Sequence, residues 1–387
     1  MKPKMKRLAI LSLLTTLSAG GYSQAGDDGK VVVDTLAEAD ASSFCDLFDL
    51  ATLYSNKENP VIQKFAFTGR LQADAAFFDA SQADSYESLL WRRFRAGFKA
   101  TVFKDFTVHA EADLDLNEHN PLYNKLTDTY VAWSPSDSFS LAVGKQGAGF
   151  TLDGGTSSKK LIRMERSLLS NNLWFTEEYF SGVTASGEVD KWVYNVGIFA
   201  SDGGPEFGDF EAGYFGLLSI GYDFADTFGL DKALIRADYV NNQPTGEGDL
   251  NTRSLSQVGS INGQFEKGKW GLWTDIAAGE GYAKQSDIFA VAIMPFYNIS
   301  DQLQLVASYN YVTSSGDNGI RIDRYESRVV SGRTDEAHEF YAGVNYYLCG
   351  HKLKWQTGVE YTTASDNAND GGAYDGWGVS SGIRISW

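Results

Sequence analysis

Residues 377–387 read WGVSSGIRISW, and this stretch indicates the fold most clearly. Successive side chains of a β-strand point to opposite faces, so residues two positions apart share a face. One face here would carry Trp377, Val379, Ser381, Ile383, Ile385 and Trp387, and the other Gly378, Ser380, Gly382, Arg384 and Ser386. The first set is mainly apolar and the second is small or polar. The stretch therefore predicts an amphipathic strand that ends on an aromatic residue.

The same alternation recurs from Lys64 onward in segments of about ten residues, close to the ~9–11 that a tilted strand needs to cross a bilayer. The predicted strands are residues 64–78, 88–102, 106–117, 127–134, 139–146, 178–187, 191–201, 213–223, 233–241, 254–265, 269–279, 287–297, 302–314, 336–347, 351–363 and 377–387. They predict an all-β fold, a transmembrane antiparallel β-barrel of about sixteen strands.

The connections between these strands alternate in length, which orients the predicted barrel. Tight turns are expected at 103–105, 134–137, 188–190, 266–268, 298–301 and 349–350, and longer polar loops at 117–126, 147–177, 202–212, 242–253, 315–335 and 364–376. Short periplasmic turns and long outer loops are typical of outer-membrane barrels. A final strand ending in Trp387 resembles the mark that the outer-membrane assembly machinery reads, so that machinery is an expected partner. The alternative is an ordinary amphipathic strand.

The first 25 residues predict a cleaved export signal. Four cations in residues 2–7 precede the apolar residues 8–17 and a small-x-small cleavage site at 23–25, with Ala19 or Gly20 as the alternative last residue. The alternative, a membrane anchor, is disfavoured because the apolar run is short and polar residues follow it. The formal net charge of −17 argues against a nucleic-acid partner, because nucleic acids select basic surfaces.

Residues 26–63 predict a short periplasmic segment that precedes the barrel of residues 64–387. Cys45 lies in this segment, and Cys349 lies in a predicted tight turn, so both fall on the periplasmic side. An even number of cysteines in an oxidising compartment permits a disulfide. We expect a disulfide that clips the segment to the barrel. The alternative is two unpaired cysteines, and mass measurement with and without reductant distinguishes the two.

Basic residues follow one face of the predicted strand 88–102, on which Arg93, Arg95 and Lys99 share a side with Trp91. Charges facing lipid near the midplane cost ~2–4 kcal/mol each, so these cations should face the lumen. Further cations continue this predicted basic arc on neighbouring strands, namely Arg70, Arg384, Lys352 and Lys354. The alternative is structural cross-strand pairing with the polar face of strand 106–117, which carries His109, Glu111, Asp113 and Asp115.

The longest well-defined loop, 147–177, combines hydroxyls with cations. The candidate residues are Ser157, Ser158, Lys159, Lys160, Arg163 and Arg166. Cations attract an anion, and hydroxyl and backbone N–H groups replace its hydration shell, so the loop predicts an anion-binding constriction. Neutralising Lys159 and Arg166 should then shift selectivity toward cations. The alternative is a solvated loop with local pairs between Glu165 and Arg163 or Arg166.

The sequence resembles the phosphate-selective porins O and P over roughly residues 64–387. The resemblance is clearest at GRLQ (69–72), RRFRAG (92–97), FKD (103–105), TSSK (156–159) and MERS (164–167). It implies sixteen strands, a homotrimer, and a third loop that folds inward to constrict the pore. It also places Ser157, Ser158, Lys159 and Arg166 at the constriction, facing Arg70, Arg93 and Arg95.

The expected function is passive diffusion of small hydrophilic solutes across the outer membrane, with preference for anions such as phosphate. Outer-membrane lipid and small anionic solutes are the expected partners, and no cofactor, metal or catalysis is expected. A barrel hydrolase is the first alternative, although His109, His119, His338 and His351 fit no HExxH spacing and no GxSxG motif occurs. A structural or adhesive barrel is the second, because loop 315–335 is long enough to bind a partner.

Overall fold

The computed structural model describes residues 44–81, 83–118, 120–175, 177–244, 252–317, 319–369 and 371–387. The predicted export signal, the first part of the predicted periplasmic segment and His119 lie outside these residues. No helix among the described residues is long and apolar enough to cross a membrane.

Sixteen antiparallel strands form a closed barrel. They are β2 (Ile62–Ala80), β3 (Tyr86–Val102), β4 (Phe106–Leu114), β5 (Tyr123–Ser136), β6 (Phe139–Gly147), β7 (Tyr179–Val189), β8 (Trp192–Ala200), β9 (Gly213–Asp223), β10 (Lys232–Pro244), β11 (Leu255–Lys267), β12 (Trp270–Gly281), β13 (Ile288–Asn298), β14 (Leu303–Ser314), β15 (Glu336–Tyr347), β16 (Leu353–Ser365) and β17 (Tyr374–Ser386). Each pairs with the next, and β17 pairs with β2 to close the barrel. The sixteen predicted strands are confirmed, with ends that differ by four residues or fewer.

The barrel reverses the burial pattern of a soluble protein. Along β17 the small and polar face is buried, whereas Trp377, Val379 and Ile383 are 46%, 38% and 50% exposed. Exposed aromatic and branched side chains recur on the outer face of the other strands. A barrel in a bilayer covers such a face with lipid and satisfies every backbone group by closure. The exposed apolar face therefore identifies the surface that meets the membrane.

The long polar connections between strands lie at one end of the barrel. The longest, residues 148–178, joins β6 to β7 and contains the helix α1 (Leu168–Leu173). Residues 315–335 join β14 to β15 and contain a 3-10 helix, Glu326–Arg328. At the opposite end the turns are tight, except that a short helix, α2 (Ala225–Phe228), lies between β9 and β10.

The N-terminal described residues are attached to the tight-turn end. A 3-10 helix, Cys45–Ala51, leads into a short strand, β1 (Thr52–Ser55), which pairs with the start of β2. Cys45 and Cys349 form a disulfide, with Sγ atoms 1.99 Å apart. The Lys352 ammonium lies 3.0 Å from an Asp49 carboxylate oxygen beside it. The helix is thus joined to the β15–β16 turn.

The seam between β2 and β17 depends on a glycine. The Gly69 amide donates to the Trp387 carbonyl at 3.1 Å. A Cβ at Gly69 would lie 2.4 Å from the Arg95 carbonyl oxygen and 2.6 Å from the Trp387 ring. Overpacking of this kind costs roughly 1–3 kcal/mol. We expect Gly69→Val to lower the folded fraction, measured as the heat-modifiable band in cold gel electrophoresis.

Gly259→Val on β11 is the matched control for the seam. A Cβ at Gly259 would have no atom within 4 Å, so this variant should fold like the wild type. Equal folded fractions for the two variants would contradict a sterically restricted seam at Gly69.

Candidate functional site

The connection 148–178 hydrogen-bonds to the buried faces of several strands. The Leu161 carbonyl accepts from Lys354 Nζ at 2.6 Å and from Gln356 Nε2 at 3.1 Å, both on β16. On β15, Asn345 Nδ2 donates to the Ile162 carbonyl at 2.8 Å. Lys354 is fully buried, so this carbonyl contact partly replaces the hydration that its ammonium loses.

Two further contacts attach the connection to other parts of the barrel wall. The Leu152 amide donates to Asp275 on β12 at 2.7 Å, and Arg70 on β2 donates to the Ser158 hydroxyl at 2.7 Å. The connection is therefore bonded to several strands that are not adjacent to one another in the sheet.

Most of the predicted basic arc lies on buried faces, with Arg384 on β17 and Lys354 on β16 beside the arginines of β2 and β3. The prediction was wrong for Lys352, which precedes β16 and has a side chain that is 42% exposed. Arg70, Arg93 and Arg95 are 2%, 8% and 3% exposed. Arg70 pairs with Glu111 on β4 at 3.3 Å, and Arg93 donates to Gln72 at 2.8 Å. All three arginines face the connection 148–178: Arg70 also donates to Ser158, Arg93 lies 4.0 Å from Glu165, and Arg95 lies 3.4 Å from Glu178.

Cross-strand pairing accounts for part of this arc. Arg95 and Asp113 are register partners on β3 and β4, and their charged atoms are 3.4 Å apart. Lys99 is the register partner of His109 and is half-buried. The structural alternative therefore applies at Arg95. Arg95 also contacts Glu178, the last residue of the connection.

Glu178 is the anion on which three arginines converge. Its carboxylate lies 2.9 Å from Arg166, 3.4 Å from Arg95 and 3.9 Å from Arg93. The residue directly precedes β7, at the end of the connection. Sequence reasoning missed it, because no cation adjoins it in the chain.

The two arginines of the connection, Arg163 and Arg166, are buried and bind neighbouring groups of the protein. Arg166 donates to the Asp153 carbonyl at 3.0 Å and to the Thr156 carbonyl at 3.2 Å, and it lies over the Trp174 ring. Arg163 lies 2.6 Å from Glu339 on β15 and is 2% exposed. Both therefore hold the connection in place.

The lysines and serines of the connection are arranged differently. Ser157 and Ser158 are buried, whereas Lys159 and Lys160 are half-buried. Lys159 acts electrostatically on Glu111, the partner of Arg70. Of the predicted cations of the connection, the lysines are thus the ones nearer to solvent.

Glu165 pairs with the barrel wall, where the sequence suggested local pairs with Arg163 or Arg166. Arg92 on β3 binds both of its carboxylate oxygens, one of them at 2.8 Å, and Arg93 lies 4.0 Å away. Burial raises the pKa of Glu165, but the charge and hydrogen bond of Arg92, together with the charges of Arg93 and Arg324, outweigh burial and hold that pKa well below its usual value. Glu165 is therefore a carboxylate at neutral pH and offsets part of the positive charge.

A β-bulge explains why Arg92 was not expected to face inward. Arg93 pairs with Gln72, but the next pair in register is Trp91 with Ala73, so Arg92 is the extra residue. A bulge breaks the alternation of faces. Trp91, predicted to share the face of Arg93, is instead 42% exposed.

Comparison with known proteins connects this arrangement to a family. The model of the phosphate-selective porin O and P family matches residues 65–217, which include most of β2, all of β3 to β8 and the connection 148–178. A comparison with curated proteins finds no match.

Solved structures share the fold over most of the chain. OmpF of Salmonella typhi in complex with daunomycin has a TM-score of 0.61 at 15% identity, covering 87% of this chain and 100% of that one. An anion-selective porin from Comamonas acidovorans has a TM-score of 0.58 at 11% identity, covering 84% and 99%.

The trimer form of OmpT, an outer-membrane protein of Vibrio cholerae, has a TM-score of 0.51 at 15% identity, covering 84% and 99%. At these identities the likeness concerns the fold. The chain thus has the closed sixteen-stranded fold found in porins, and over residues 65–217 it resembles the phosphate-selective porin O and P family.

Proposed function

We propose that this protein is an outer-membrane porin through which small hydrophilic solutes diffuse passively, with a preference for anions such as phosphate. The observation that carries the proposal is the contact between the connection 148–178 and the arginines of β2 and β3, above all the bond between Arg70 and Ser158. It joins the two sets of residues that the sequence assigned to an anion site.

We propose further that the connection folds into the lumen and narrows it. Residues 151–158 are buried, and the connection bonds to buried faces of β2, β12, β15 and β16. The interior of a barrel is the space that such faces share. Most of the polar partners are backbone carbonyls of the connection, as expected for a segment that satisfies its groups away from bulk water.

The anion preference would be a local property, because the whole chain carries a formal charge of −17. Carboxylates at 111, 113, 165 and 178 offset much of the charge of the basic arc. Lys159 and Lys160 are better placed to meet a solute because they are half-buried. Hydroxyl and backbone N–H groups beside them would replace the hydration of an anion.

We also propose how the protein is exported, assembled and oligomerised. An export signal in residues 1–25, outer-membrane lipid around the barrel and assembly through the strand ending in Trp387 suit a porin. A homotrimer is supported by the resemblance to the porin O and P family and by the trimer form of OmpT.

Planar lipid bilayers test the proposal directly. Folded protein should insert with discrete conductance steps, and the reversal potential in a KCl gradient should have the sign of anion preference. Heat-denatured protein in the same detergent is the control. Absence of steps from a heat-modifiable sample would overturn the channel. Steps with a cation-selective reversal potential would keep the channel and overturn the anion preference.

A further inference from the structure

Three glutamates from different elements meet at the loop end of the barrel. Glu326 lies in the 3-10 helix of connection 315–335, Glu339 on β15 and Glu360 on β16. Each offers a carboxylate oxygen, and these oxygens lie within 4.8 Å of one another. Glu326 and Glu339 are 1% and 0% exposed, and the Glu360 side chain is 11% exposed. We refer to Glu326, Glu339 and Glu360 as the glutamate cluster.

Among the described residues, one cation pairs with this cluster. Arg163 Nη2 lies 2.6 Å from Glu339 Oε1 and 3.6 Å from Glu360 Oε2. Three ionised carboxylates against one guanidinium would leave two negative charges, and Asp323 adds a further carboxyl group nearby. Buried charge of this size is costly unless it is compensated. A single divalent cation would compensate the excess charge of the cluster.

Unpartnered oxygens point to the same ligand. Glu326 Oε2 and Glu339 Oε2 are buried and have no hydrogen-bond partner among the described residues. Asn310 is fully buried and directed at the cluster, because its Nδ2 donates to Glu339 Oε1 at 2.8 Å, while its Oδ1 has no partner in the described chain. Buried polar atoms normally find partners, so these oxygens indicate a missing ligand.

We propose that the glutamate cluster binds a divalent cation, with Ca²⁺ as the preferred ion. All the available donors are oxygens of carboxylate or amide groups, which Ca²⁺ and Mg²⁺ favour. Oxygens bound to Ca²⁺ at 2.3–2.6 Å lie at most about 4.6–5.2 Å apart, which suits the spacing of the cluster. The smaller Mg²⁺ needs a tighter octahedron than residues of three separate elements readily form.

A bound cation would keep the carboxylates of the cluster ionised, because carboxylate ligands bind metals in their ionised form. The inference concerns the cluster alone and does not depend on the channel function.

The bound cation would fasten connection 315–335 to the barrel wall. Glu326 contributes from the connection, whereas Glu339 and Glu360 contribute from two paired strands. The Thr362 hydroxyl already donates to Glu326 Oε1 at 3.2 Å, so the helix is oriented toward β16. Removal of the cation should loosen the connection and leave the strands in place.

Isothermal titration of the folded, chelator-treated full-length protein with CaCl₂ tests the proposal. One Ca²⁺ should bind per chain, and Glu326→Gln should weaken binding at least tenfold. This variant keeps Arg163 paired with Glu339, so folding should be preserved, and heat-modifiability on a gel checks it. Glu336→Gln, on the same strand as Glu339 but about half exposed, should bind like the wild type.

A second readout follows connection 315–335 itself. Ca²⁺ should slow its cleavage by protease in the wild type and have no such effect in Glu326→Gln. Absence of Ca²⁺ binding to the folded wild type would overturn the proposal, as would equal affinity in the wild type and Glu326→Gln. Tighter binding of MgCl₂ than of CaCl₂ would overturn the assignment of Ca²⁺.

Discussion

Replacing residues 154–165 by two glycines should raise the single-channel conductance severalfold. Sixteen-stranded barrels enclose a water-filled lumen, and the connection 148–178 is the segment proposed to obstruct it here. The ends of the excision are already close, because Arg166 Nε donates to the Asp153 carbonyl at 3.0 Å and the Ser167 amide donates to the Asp153 carboxylate at 2.8 Å. A short linker can therefore bridge them.

The excision removes the groups that Arg70, Lys354 and Asn345 bind, and water entering the widened lumen would hydrate those side chains instead. Shortening the exposed connection at residues 207–210 is the control, and it should leave the conductance unchanged. A folded excision variant with wild-type conductance would show that the connection does not constrict the pore.

The barrel could be predicted from the sequence because its determinants are local. The alternation in residues 377–387 assigns the faces of β17, and Trp377 and Ile383 are exposed where the pattern places the apolar side. Turn residues then separate one strand from the next. Strand ends were less precise, as at β5, which begins at Tyr123 where residue 127 was expected.

The site was predicted less completely because its contacts join distant parts of the chain. Glu165 has Arg163 and Arg166 as sequence neighbours, yet it pairs with Arg92, 73 residues away. Arg92 faces inward only because a bulge shifts the alternation, and a bulge leaves no clear mark in a pattern of period two. Glu178 has no nearby cation in the sequence at all.

The glutamate cluster, too, could be predicted only in part from the sequence. Glu339 and Glu360 belong to two strands predicted to form a hairpin, so their proximity could have been anticipated. Glu326 lies in a connection whose path the strand pattern does not define. Its convergence with the other two depends on tertiary structure, which explains why no metal-binding spacing appears in the sequence.

Glu178→Gln should increase the anion-to-cation permeability ratio at least about fivefold, because removing a charge a few ångströms from a permeating anion lowers the free energy of that ion by about 1 kcal/mol and raises that of a cation. The substitution keeps the size of the side chain and leaves Arg93, Arg95 and Arg166 without their shared carboxylate. The reversal potential in a KCl gradient measures the ratio, and the change should shrink at high salt because of screening.

Lys159→Gln should change the same ratio in the opposite direction. Lys159 is the better choice than Arg166, because Arg166 also binds two backbone carbonyls and its loss would displace the connection. Glu188→Gln is the matched control: Glu178 directly precedes β7, whereas Glu188 lies at the other, exposed end of that strand, so this variant should leave the ratio unchanged. If Glu178→Gln and Glu188→Gln shifted the ratio equally, the effect would reflect the overall charge of the protein. Opposite shifts for Glu178 and Lys159, with none for Glu188, require that permeating ions pass close to the cations of β3 and the connection.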